Sequence, residues 1–142
     1  MSEKDSVDAG TIQFLYSLWD ATLPGRDRVL AWKIVPENEE SIPRAEIVNI
    51  QLLLRYFNRI GHLVEREILP KDFVEEFFGR EILRSCARLV KLLASARQGR
   101  DDPNYLEFID RLADRCKKRW PNYVPKYYPK APGTMGLRSG AT

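Results

Sequence analysis

The sequence predicts an all-α fold: a single-domain bundle of five or six helices with an extended, Pro/Tyr-rich C-terminal arm. Apolar residues recur at three- and four-residue spacing through most of the chain, and Pro or Gly punctuates those runs at short intervals. No segment offers a convincing strand with a second one to pair with it. A length of 142 residues, 44% apolar and 30% charged, suits one soluble domain that can bury a core without disulfides or metal.

Residues 1–10 read as a flexible N-terminus. A first helix is expected from Thr11 as N-cap, with Ile12, Leu15, Tyr16 and Trp19 on one face. Leu23, Pro24 and Gly25 read as a turn. Residues 26–35 carry Val29, Leu30 and Trp32 and suit a short helix, which is favoured over an extended Trp32 to Val35 because no other segment offers a strand to pair with it. Residues 36–41 form a polar loop, in which Ser41 can cap a helix that has Pro43 in its first turn.

That helix is expected to run to about Leu69. Ile47, Ile50, Leu53, Leu54, Phe57, Ile60, Val64 and Ile68 lie on its apolar face, while Gln51, Arg55, Asn58, Arg59, His62, Glu65 and Arg66 lie on its polar one. Leu52 and Leu63 widen the apolar stripe, as befits a central helix contacted from two sides. Residues 70–78 predict a short helix burying Phe73, Val74 and Phe77 and stopped by Gly79 as a left-handed cap. Residues 80–97 predict another, with Ile82, Leu83, Cys86, Leu89, Val90, Leu93 and Ala96 inward. Asp102 and Pro103 open the last helix, which buries Tyr105, Phe108, Ile109, Leu112 and Cys116 and ends before Pro121. Glu107 with Arg111 and Asp114 with Lys118 are placed to pair at i,i+4 on it. The domain is therefore expected over 11–119. The arm is expected over 120–142, disordered from about residue 131.

Two cysteines make no disulfide framework, and each falls on the apolar side of its helix, where a thiol acts as a small hydrophobe. The N-terminus lacks the basic start and apolar stretch of a signal peptide, and no apolar run approaches the ~18 residues of a membrane span. The expected location is the cytoplasm or the interior of a virion. Charge is unevenly divided. Residues 115–142 hold seven basic residues and no acidic one, leaving sixteen basic against twenty acidic residues elsewhere, a net of −4. An acidic body with a basic tail points to an anionic partner or to an intramolecular contact.

Residues 49–119 carry a family resemblance. The features are Phe57, Asn58, Arg59 and Ile60 running into Leu63, Val64 and Glu65, then the stop at Ile68 and Leu69. The run Phe73, Val74, Glu75, Glu76, Phe77, Phe78, Gly79 and the helix containing Ile82, Leu89 and Arg97 follow. This stretch resembles an uncharacterised prokaryotic and viral family known only as a domain of unknown function. The resemblance implies an all-helical domain with no assigned activity, cofactor or catalytic residue. Some proteins similar to this family carry an N-terminal membrane helix; this chain has an amphipathic segment around Ile12 to Trp19 instead.

Three constellations carry chemistry. Arg80, Arg84, Arg88 and Lys91 are spaced to share one helix face, where their repulsion needs anions to offset it. Nucleic-acid phosphates would serve, and so would carboxylates of the body such as Glu75, Glu76 and Glu107. In the tail, Lys117, Lys118, Arg119, Lys126 and Lys130 interleave with Trp120, Tyr123, Tyr127 and Tyr128. Cations and rings together suit a single strand, and the same residues suit an arm packed on its own bundle or on a partner protein. Arg55 and His62 lie seven positions apart on one helix face, a spacing that resembles that of small dimeric all-helical ribonucleases. A histidine base and an arginine for phosphate make that chemistry coherent.

No Gly-rich phosphate loop, nucleophile signature or metal-ligand spacing is present, and no cofactor or small-molecule substrate is implied. The expected function is binding, to another protein or a second copy, rather than catalysis. An accessory role with nucleic acid comes second and a metal-independent ribonuclease third.

Overall fold

The computed structural model describes residues 8–125; the first seven positions and everything from Lys126 onward, including the expected disorder past residue 131, lie outside it. Five helices follow one another: α1 (Ala9–Ala21), α2 (Leu23–Ala31), α3 (Ile47–Glu65), α4 (Lys71–Gly99) and α5 (Glu107–Arg119). Two single 3-10 turns, Glu39–Ser41 and Arg44–Glu46, lead into α3, and there is no strand among the described residues. α3 packs against α1, α2 and α5, and α2 and α5 each bridge from α3 to α4. The central helix is thus contacted from more than one side, as its wide apolar stripe required.

Several boundaries differ from the sequence reading, each for a physical reason. Asp8, not Thr11, caps α1: its carboxylate accepts from the Thr11 amide at 2.8 Å and from the Thr11 hydroxyl at 3.1 Å. Leu23, Pro24 and Gly25 form the first turn of α2 rather than a loop, because Pro in the first turn gives up no needed hydrogen bond. α2 stops at Ala31 and Trp32 is extended, so residues 26–35 are helical in their first part only. Ser41 caps no helix: it closes the 3-10 turn capped by Asn38, whose side chain accepts from the Ser41 amide at 2.9 Å, and α3 starts later, behind Glu46, with no side-chain cap. α3 ends at Glu65, with Glu67 in the left-handed region at φ 60°. The chain then reverses, leaving Ile68 exposed and burying Leu69.

The largest difference is at Gly79. It does not end a helix; α4 is a single helix of 29 residues running straight through it. A Cβ there would lie 2.8 Å from the indole Nε1 of Trp120, so the absent side chain makes room for the arm. Two further glycines act alike. A Cβ on Gly25 would lie 2.5 Å from the Asn49 carbonyl oxygen on α3, and one on Gly61 would lie 2.3 Å from the Phe108 carbonyl oxygen on α5. Each helix pair approaches closely at a residue with no side chain.

Continuity of α4 resets its inward register to Val74, Phe78, Ile82, Leu83, Leu89 and Leu92, turning Phe77 and Val90 outward. α5 starts at Glu107, four residues after Pro103, behind a left-handed Leu106. Arg97 holds that entry, donating to the carbonyls of Tyr105 (2.8 Å) and Leu106 (3.2 Å) while pairing with Asp110 at 2.9 Å. Cys86 and Cys116 are both buried and free. Burial pushes the Cys86 thiol up and raises that of Cys116 to about 12.

Candidate functional site

The basic row on α4 does not survive as a row. Arg88, its third member, is 1% exposed and donates to the carbonyl oxygen of Trp32, the residue that ends α2. A helix C-terminus leaves carbonyls without amide donors and carries a partial negative charge, and Arg88 answers both. The sequence put Arg88 among surface cations because its spacing matches theirs; that α2 would cover this flank of α4 is tertiary information. Arg80 is exposed and lies 4.8 Å over the Trp120 ring, Arg84 is half-buried, and Lys91 is exposed.

At the start of the tail, Arg119 pairs with Glu76 and stacks 5.3 Å over Trp120. Trp120 itself donates from its indole to the Glu75 carbonyl at 2.7 Å. Lys117 and Lys118 are exposed on α5. Lys126, Tyr127 and Tyr128, named with them from sequence, lie outside the described residues.

Of the carboxylates named as counter-ions to the α4 row, Glu76 and Glu107 are engaged instead by Arg119 and Arg111 of α5. Glu65 accepts from Arg115 at 3.0 Å and from Arg111 at 3.2 Å, and Arg111 also reaches Glu107 at 3.1 Å. The Arg115 hydrogen bond, with Arg111 beside it, holds the Glu65 carboxyl below its ordinary value. Glu65, Arg111 and Arg115 line a cleft of about 430 Å³ that also presents Lys71, Asp72, Glu75, Asp114 and Lys118. Acids and bases balance in it, and burial raises the Glu75 carboxyl against the pull of Arg115. Such a cleft is an ion-pair network and not an anion receptor.

His62 and Arg55 share the face of α3 that meets α5. The His62 ring stacks on Phe108 with centroids 4.5 Å apart, and Asn58, between the two, accepts from the Phe108 amide at 3.0 Å. Arg55 is exposed. The histidine and the asparagine therefore seat the first turn of α5. Among the described residues no group of three or more His, Cys, Asp or Glu could hold a metal ion.

The aromatic run of Phe73, Phe77 and Phe78, which the sequence already marks as a surface for a partner, is joined in the structure by Tyr16 and Trp19 to make an aromatic edge between α1 and the first turns of α4. Tyr16 meets Phe78 edge-on at 5.5 Å and Phe73 at 6.5 Å, and Phe73 and Phe77 lie 4.6 Å apart. Beneath them Trp19 stacks on Phe78 at 4.4 Å and on Phe57 at 6.1 Å, both buried. Above them Phe77 is 62% exposed and Tyr16 42%. The outward register of Phe77 was hidden by reading Gly79 as a stop.

Comparison with known proteins gives one assignment. A family model described as Domain of unknown function (DUF4760) matches residues 18–120, well over half of the chain. The chain belongs to that family. The match begins within α1 and spans α2 to α5, so the DUF4760 domain takes in more of the bundle than the resemblance over 49–119 indicated. No curated protein and no solved structure matches significantly. In this DUF4760 chain no helix of the described residues is long and apolar enough to cross a membrane.

Proposed function

We propose that this DUF4760 domain is a binding module that self-associates through the aromatic edge of Tyr16, Phe73 and Phe77. The observation that carries the reading is Phe77, a phenylalanine 62% exposed whose ring continues a stack rooted in the core. Exposed aromatic rings joined to a core cluster are unfavourable in water and favourable in an interface, where they bury large area at low entropic cost. A second copy is the favoured partner because a two-fold contact must be self-complementary. Uncharged rings satisfy that condition, whereas a patch of one charge sign repels its own copy.

The nucleic-acid reading loses support because Arg88 is buried and Arg119 is paired. The ribonuclease reading loses it because His62 is stacked under Phe108. Light scattering across a hundredfold range of concentration tests the proposal. Wild-type protein is expected to shift towards a dimer mass and Phe77→Gln to remain monomeric at every concentration. Wild-type protein that stays monomeric throughout overturns it.

A further inference from the structure

On the opposite flank, α4 and α5 leave an open groove of about 620 Å³ with a mostly apolar lining. Cys86, Leu93 and Ile109 form its buried floor, and Val90 stands 63% exposed on its rim. One wall is the chain itself. Trp120 is anchored beside Gly79, and Tyr123, Val124 and Pro125 follow along the groove. Pro125, the last described residue, is buried there, while Val124 is 68% exposed. Seventeen residues follow Pro125 in the sequence.

We infer that this groove is the docking site of the protein's own C-terminal segment, residues 126–132. Length suffices: the α4 stretch from Leu83 to Arg97 along the groove measures about 21 Å at the helical rise, Tyr123 to Pro125 already take part of it, and about seven more residues of Pro-rich extended chain more than span the rest. The sequence there is Lys126, Tyr127, Tyr128, Pro129, Lys130, Ala131, Pro132, seven residues. Its chemistry also agrees. Two tyrosines and two prolines suit an apolar floor, and the rim is balanced in charge, with Asp110 paired to Arg97 and Asp114 accompanied by Lys117. Proline fixes the backbone beforehand and lowers the ordering cost. Tethering at Pro125 presents the segment at an effective concentration on the order of millimolar, so even weak contacts fill the site.

The inference is independent of the aromatic edge, which lies on other surfaces. Methyl NMR of the full chain tests it. The Val90, Leu93 and Ala87 methyls are expected to carry ring-current shifts that disappear in Tyr127→Ala/Tyr128→Ala. They are expected to persist on dilution and in the monomeric Phe77→Gln variant. Conversely, Val90→Asp, a change at an exposed position, is expected to move the Tyr127 and Tyr128 ring signals to free-peptide values. Methyls untouched by the double tyrosine substitution overturn the docking. Shifts that vanish on dilution overturn the intramolecular form and assign the groove to the tail of a second copy.

Discussion

The two sides of α3 differ in how they meet their neighbours. Towards α5 the contact is closed: Gly61 lets the Phe108 backbone approach, Asn58 satisfies its amide, and Glu65 holds Arg111 and Arg115. Towards α1 and the start of α4 the contact is built from rings: Phe57, Trp19 and Phe78 are buried, then Phe73, Tyr16 and Phe77 run outward into solvent. Backbone approach, specific hydrogen bonds and ion pairs finish an interface within one chain. Aromatic packing of graded exposure leaves one unfinished. Under the proposed self-association, stability and binding reside on different faces of the same bundle.

The sharpest way to break the closed side is Gly61→Ala. Its Cβ would meet a main-chain oxygen, which cannot swing aside, so α5 must shift; a loss of about 3 kcal/mol is expected by thermal or denaturant melting. Next is Arg88→Met, which keeps bulk but removes the donor from the Trp32 carbonyl at the end of α2. A loss of about 2 kcal/mol is expected in the same assay.

A smaller effect belongs to Glu65. Its carboxyl is held below its ordinary value, so its contribution is present above about pH 4.5 and is lost as pH falls through the lowered folded value. Wild-type stability should fall more steeply below that pH than that of Glu65→Gln. The difference should stay under about 1 kcal/mol, since the pairs are partly solvated. The smallest effect on stability is expected on the open side: Phe77→Gln, exposed and on a helix that accepts glutamine well, should change monomer stability by no more than about 0.5 kcal/mol in dilute urea melts.

Much of this comparison was legible in the sequence, and what was not has identifiable causes. The helical class, most of the buried face of α3 and the core positions of Leu15, Trp19, Phe57, Leu89 and Leu112 followed from spacing alone, whereas on the α5 side Ile109, Leu112 and Cys116 are buried and Tyr105 and Phe108 only half-buried. Glycine misled because its local meaning is a turn or a cap. At Gly25, Gly61 and Gly79 its use is contact between elements remote in sequence, which periodicity does not report. One misread glycine then propagated: a stop at Gly79 set Phe77 inward, whereas the continuous helix turns it to solvent. Arg88 misled in a similar way, since four cations at helical spacing look alike until α2 covers one of them. His62 and Asn58 were correctly placed on the polar face of α3, but that face turned out to be the seat of α5.

The separation of a closed side from an open one is tested most directly by melting temperature as a function of protein concentration. A species that associates only when folded is stabilised by its own concentration. The account predicts that the wild-type midpoint rises steadily with concentration, while Phe77→Gln melts at one temperature throughout, matching wild-type protein at high dilution. A wild-type midpoint independent of concentration, or a Phe77→Gln midpoint that climbs in parallel with it, would contradict the account.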